Sequence, residues 1–265
     1  MTETLAEFSA LHGPVLARDE MRHNMLLAIL DSESGSVATW TLGPAGACAV
    51  QAGHHHIVLG AVDEAAAHRL AEATASRPYP GITGPGLTAQ WFVDRARKLS
   101  LSFAAPMRLT LHVLDGRARL PATPATPGRP RVAGFGDARL VISWVHAFMA
   151  EAVPGEAPPR DDAIELDIAC ERYLLWEVDR KAVAIGAMQR ETQNTGIVTC
   201  VYTEPAERAR GYGGSVTAAL AERAFANGKS HVCLFVDRGN AAAARCYARL
   251  GFKPHVDALA YRRDP

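Results

Sequence analysis

The segment Arg208-Ala209-Arg210-Gly211-Tyr212-Gly213-Gly214 constrains this 265-residue chain more than any other. It follows the apolar run of residues 198–201 and the break Thr203-Glu204-Pro205. It leads into an alanine-rich helical stretch over residues 213–226. A strand that ends, an arginine-rich turn, glycines and a helix start together describe an anion site. Glycine permits positive φ and close approach of a ligand to the backbone. The first amides of a helix lack internal partners and, with the helix dipole, attract negative charge. Arg208 and Arg210 add guanidinium forks that suit a pyrophosphate. The competing reading is a tight glycine turn with no ligand. A dinucleotide fingerprint needs a third glycine where Val216 stands, and a Walker loop needs Gly-Lys-Ser/Thr, which the segment lacks.

Charge narrows the partners. Lys and Arg together number 28, equal to the 28 of Asp and Glu, whereas a nucleic-acid binder ordinarily carries a basic excess, so no nucleic-acid partner is expected. No apolar run approaches the roughly 18 residues needed to span a bilayer, and Glu3 stands where a signal peptide needs a cationic start. A cytoplasmic protein with no membrane partner is therefore expected. The five cysteines are widely spaced with no Cys-x-x-Cys, which argues against a disulfide framework or a zinc site. Of His54-His55-His56, only His54 and His56 would share a strand face, and no metal is expected.

Residues 121–130 hold four prolines and read as an extended linker between two halves, residues 1–120 and 131–265. In the first half the pattern predicts helices over residues 3–11, stopped by Gly13-Pro14, and 19–30. Strands over 37–42, 47–51 and 56–59 follow, then a helix capped by Asp63, a helix over 87–99, and a hairpin 109–114/117–120 around Asp115-Gly116. In the second half it predicts a short strand near 131–133, a helix over 140–151 capped by Asp137, and a helix over 161–172. Three meander strands (173–177, 182–188, 197–203) precede the helix 213–226, a strand over 231–236, a helix over 241–250 and a last strand over 256–262. Both halves thus read as helices, a meander, then alternating helix and strand.

The pattern Arg-x-x-Gly-x-Gly after a strand and before a helix resembles the acyl-CoA-binding motif of GNAT-type N-acetyltransferases, with Arg208, Gly211 and Gly213 at its fixed positions. A second block, residues 240–252, is similar to the family's signature of Asn240, small residues, Tyr247, then Leu250-Gly251-Phe252. Leu175-Trp176-Glu177, Val201-Tyr202-Thr203-Glu204-Pro205, Arg22-His23-Asn24 and Pro80-Gly81-Ile82-Thr83-Gly84-Pro85 resemble a two-half group in which a degenerate GNAT-like half precedes the competent one. One departure is Gly239-Asn240-Ala241, where many members carry Asn-Pro.

The resemblance implies an α/β (α+β) fold of tandem GNAT-like units, each a mixed, mostly antiparallel sheet flanked by helices. It implies acetyl-CoA as co-substrate, no metal, and direct transfer of the acetyl group to a primary amine of a small molecule or peptide. The strand backbone of Val201, Tyr202 and Thr203 would hold the pantetheine arm. Arg208, Ala209, Arg210, Gly211, Tyr212, Gly213, Gly214 and Ser215 would hold the pyrophosphate, and Asn240 and Ala243 would meet the pantetheine. Tyr247 is the candidate general acid for the departing thiolate; its competing reading is a packing aromatic. Glu177 is a candidate base, with a solvated hairpin residue as the alternative, and Asp237 could equally be a turn residue. The first half lacks the motif, so one CoA site is expected, in a monomeric pseudo-dimer or a homodimer. A non-catalytic acyl-CoA-binding sensor or partner-binding module is the alternative function.

Overall fold

The computed structural model describes residues 4–31, 36–116 and 126–264. In chain order the elements are α1 (Leu5–Leu16), α2 (Asn24–Leu30), β1 (Val37–Thr41), β2 (Cys48–Ala52), β3 (Ile57–Leu59), α3 (Glu64–Thr74), β4 (Gly81–Pro85), α4 (Gly86–Lys98) and β5 (Met107–Asp115). They continue as β6 (Arg129–Val132), α5 (Ala138–Ala152), α6 (Asp161–Ala169), β7 (Tyr173–Val178), β8 (Lys181–Gln189), β9 (Thr195–Thr203), α7 (Tyr212–Ala226), β10 (His231–Asp237), α8 (Ala241–Arg249) and β11 (Lys253–Arg262).

The chain divides into two compact units. Unit 1 holds residues 1–112, 235–241 and 254–265; unit 2 holds residues 113–234 and 242–253. The sheet order in unit 1 is β1-β2-β3-β4-β11-β5, and in unit 2 it is β10-β9-β8-β7-β6. Each unit repeats one succession. Two helices precede an antiparallel three-strand meander; a crossover helix then leads to a strand parallel to the last of the three, and another helix follows. In unit 1, α3 joins the parallel pair β3–β4. In unit 2, α7 joins the parallel pair β9–β10. A parallel pair requires such a crossover, because a tight hairpin can only reverse the chain. The architecture is the expected one, a mixed and mostly antiparallel sheet flanked by helices in tandem GNAT-like units.

Each unit has its own apolar core. In unit 1, Leu70, Phe92 and Val93 of the helices pack on Ile57, Ile82 and Tyr261 of the strands. In unit 2, Val141, Trp144 and Ile164 pack on Tyr173, Ile185 and Tyr202. The other face of the unit 2 sheet carries α7 so closely that a Cβ at Gly186 would lie 2.7 Å from Leu220 Cδ1.

Several expected boundaries differ from those observed. The division of the chain is not a cut at residues 121–130, because β11 belongs to unit 1, where it pairs with β4 from Ala258↔Pro85 to Arg262↔Gly81. Arg129-Pro130 is not linker but the start of β6, which pairs with β7 through Arg129↔Glu177 and Pro130↔Trp176. The Gly13-Pro14 break does not end α1. A capping box between Thr4 and Glu7 fixes its start, and buried Phe8, His12 and Leu16 hold it across the one amide that proline removes. The second helix starts only at Asn24, after a 3-10 turn over Ala17–Asp19. Asp137 does not cap α5: its carboxylate accepts from Arg131 Nη1 and Nη2 (2.7 and 2.9 Å) and from the Gly134 amide (2.9 Å). Residues 117–120, the expected second hairpin strand, lie outside the described residues.

Candidate functional site

The site is built at the end of β9. Ile185 pairs with Tyr202 and Ala187 with Thr199, so Cys200 and Val201 together oppose Gly186. This is a β-bulge, and Cys200 within it has φ 52°, a left-handed conformation that non-glycine residues adopt at a cost. On its other edge β9 pairs with β10 through Thr195, Gly196 and Ile197, while the strand itself runs on to Thr203. Tyr202 is buried, with its ring 6.0 Å from that of Trp144, so the strand offers a ligand its backbone there and not the phenol. Val201 and Thr203 are half-buried on the opposite face.

A 3-10 turn over Pro205–Glu207 leads from the strand to the glycines. Ala209 (φ 63°) and Gly211 (φ 88°) are both left-handed, which brings successive amides round toward one side. Gly211 is the N-cap of α7 and has no side chain with which to cap it. The Ser215 amide donates to the Gly211 carbonyl (3.0 Å), so the amides of Tyr212, Gly213 and Gly214 precede that bond. The Ser215 and Thr217 hydroxyls turn back and donate to the carbonyls of Gly211 (3.3 Å) and Gly213 (2.7 Å). The glycines are needed for space as well. A Cβ at Gly213 would lie 3.3 Å from Thr203 Oγ1, and one at Gly214 would lie 3.1 Å from Cys246 Sγ. The turn can therefore present backbone donors and a helix dipole to an anion at close range.

The two arginines are engaged with carboxylates. Arg208 Nε donates to the Thr203 carbonyl (3.0 Å), and its Nη2 donates to both oxygens of Glu151 (2.9 Å each). Its guanidinium also lies 5.4 Å from the centre of the Tyr202 ring. Arg210 Nη1 donates to Glu207 (2.8 Å), which also faces Lys181 at 3.7 Å.

Tyr247 lies on α8, half-buried, 6.0 Å between ring centres from Phe252. Burial pushes the phenol well above its ordinary range, the Cys246 thiol adding to the effect. Glu177 is on β7, two strands from β9, with a side chain 11% exposed. It accepts from Arg131 Nε at 2.9 Å and faces Arg129 at 3.5 Å, so an ion pair holds it. Asn240 immediately precedes α8, its amide donating to the Asp237 carbonyl (2.8 Å); the Asp237 carboxylate accepts from the Gly239 amide (2.8 Å), a turn role. Ala243 lies half-buried in the first turn of α8. Burial pushes the Cys200 thiol up to about 12 and raises that of Cys246, which disfavours either as a thiolate nucleophile. Among the described residues no group of three His, Cys, Asp or Glu could hold a metal ion, and no helix is long and apolar enough to cross a membrane.

Residues 141–252 match the model of the acetyltransferase (GNAT) family. That stretch contains the bulged strand, the glycine turn and Tyr247. The fold is that of the GNAT-type acetyltransferases. Solved structures share it over most of the chain. A GCN5-related N-acetyltransferase from Kribbella flavida is 19% identical with a TM-score of 0.62, covering 95% of this chain and 96% of that one. A Drosophila protein is 12% identical with a TM-score of 0.67, covering 98% and 88%. A GCN5-related N-acetyltransferase from Sphaerobacter thermophilus is 17% identical with a TM-score of 0.52; 69% of this chain is covered, and the chain spans 60% of the length of that protein. No curated protein matches the sequence.

Within this GNAT domain the structure brings together Thr203, Arg208 and the glycine turn in one strand-to-helix connection, and α8 meets the same helix where Cys246, the neighbour of Tyr247, faces Gly214. It keeps Glu177 in a separate ion-pair cluster with Arg131. Two neighbours of the turn were not expected from sequence. Glu151 reaches Arg208 from the last turn of α5, and Thr126 lies beside the turn, its Oγ1 3.4 Å from where a Gly211 Cβ would stand. Trp144 and Glu151, seven residues apart, lie on one stripe of α5, a helical spacing that gave the only hint of a shared target.

Proposed function

We propose that the chain is an N-acetyltransferase that moves an acetyl group from acetyl-CoA to a primary amine by direct transfer. The observation that carries this reading is the uncapped, glycine-lined start of α7 placed directly after the bulged end of β9. Amides of residues 211–214 would hold the donor's pyrophosphate. The backbone of Val201, Tyr202 and Thr203 would hold the pantetheine arm, as an added strand. A backbone donor there would stabilise the oxyanion that forms when the amine nitrogen attacks the thioester carbonyl. The tetrahedral species then collapses with cleavage of the carbon–sulfur bond, the thiolate takes a proton from Tyr247, and the amine loses its proton to water or a carboxylate. The acceptor is a small-molecule or peptide amine.

A second reading, an acyl-CoA-binding module without catalysis, is favoured by one observation. The Tyr247 ring packs 6.0 Å from that of Phe252, and its phenol is made less acidic by burial. Calorimetry with acetyl-CoA followed by thiol release with a panel of amines separates the two. The catalytic reading expects tight binding, amine-dependent thiol release, and a loss of about a hundredfold or more in kcat for Tyr247→Phe with binding unchanged. Binding with no thiol release for any amine leaves the second reading; no binding at all removes both.

A further inference from the structure

Two residues of α5 grip the connection between β9 and α7 from one side. Trp144 Nε1 donates to Glu204 Oε2 (3.0 Å), before the 3-10 turn, and Glu151 accepts from Arg208 Nη2 through both oxygens (2.9 Å each), after it. Arg208 uses a different nitrogen, Nε, for the Thr203 carbonyl at 3.0 Å, and lays its guanidinium over the Tyr202 ring. Two of its nitrogens are thus directed at protein groups, one at the end of β9 and one on α5, and together they tie the start of the glycine turn to both.

On the functional reading above, we propose that Arg208 is a positioning residue, locked by Glu151 into a clamp that sets the anion turn, and not a ligand of the donor's phosphates. A lysine could neutralise a phosphate as a point charge, but it lacks the planar fork that reaches Thr203 and Glu151 at once. The two roles therefore predict opposite outcomes for the same variants.

The test is calorimetry of CoA with wild type, Arg208→Lys, Arg208→Gln, Glu151→Gln and the Glu151→Gln/Arg208→Gln double variant, with melting temperatures to confirm folding. The clamp expects Arg208→Lys to weaken binding about as much as Arg208→Gln, on the order of tenfold for the loss of charge-assisted bonds. Glu151→Gln should weaken it about two- to threefold, as suits an exposed pair, and the double variant should be no weaker than Arg208→Gln alone. Near wild-type affinity in Arg208→Lys, or tighter binding in Glu151→Gln, overturns the clamp, because Glu151 would then be competing with phosphate for Arg208. The Glu151→Gln sign decides the matter even if the arginine variants do not fold. Failure of the wild type to bind CoA overturns the functional reading instead.

Discussion

The crossover helices α3 and α7 occupy the same place in the two units, yet they begin in opposite ways. Asp63 stands before α3, its Oδ1 accepting from the Ala66 amide at 2.7 Å, and Glu64 follows in the first turn. Its N-terminus is already satisfied by the protein's own negative charge. α7 begins at left-handed Gly211 with no side-chain cap and no acid in its first turn. The connections differ as well: residues 60–63 make a short link from β3 to α3, and residues 204–211 a longer one from β9 to α7. One succession of elements thus yields a closed helix end in unit 1 and an open one in unit 2. The difference lies in a few residues of the connection and not in the fold.

The largest effect should come from making α7 resemble α3. Gly211→Asp places a carboxylate at the open end, where it would repel the donor's phosphates; CoA affinity by calorimetry should fall about a hundredfold or more. Unchanged affinity would mean that the helix start is not where the anion sits. Gly213→Val is a milder intrusion. Its Cβ would stand 3.3 Å from Thr203 Oγ1, so crowding should weaken CoA binding by about tenfold while the variant stays folded. The reverse experiment, Asp63→Ala, removes the cap of α3. It should lower the melting temperature by about 2–4 °C and leave CoA stoichiometry unaltered, because unit 1 lacks the glycine turn. Appearance of a second CoA site would show that Asp63 alone keeps unit 1 silent. The subtlest expectation concerns pH. Because burial holds the Tyr247 phenol protonated beyond its ordinary range near 10, kcat should show no loss of an acid below about pH 10. An alkaline limb centred near 8 or 9 in wild type, unchanged in Tyr247→Phe, would assign the titration to another group.

What the sequence disclosed followed the range of the physics. The glycine turn was readable because its signal is local: positive φ, crowding against Thr203 and a helix start all fall within a dozen residues. The meanders and crossover helices were readable from periodicity. β4 was not recognised as a strand, since Gly81, Gly84 and Pro85 look like loop residues. The structure shows why they are needed, with a Cβ at Gly81 lying 2.2 Å from the Tyr261 carbonyl oxygen and one at Gly84 lying 2.9 Å from that of Leu59. The contact of Glu151 with Arg208 spans 57 residues, and the placement of β11 in unit 1 depends on pairing with β4 far away in sequence. Neither leaves a local trace. Asp137 illustrates the limit from the other side: it has the right type and place for a cap, but Arg131 offers two charge-assisted bonds and wins it.

The contrast between an open α7 and a closed α3 is tested most directly by the stoichiometry of CoA binding to the full chain. Calorimetry should give one site per chain in the wild type, and in Gly211→Asp that site weakened about a hundredfold or more. Two sites in the wild type, or wild-type affinity in Gly211→Asp, would contradict the account.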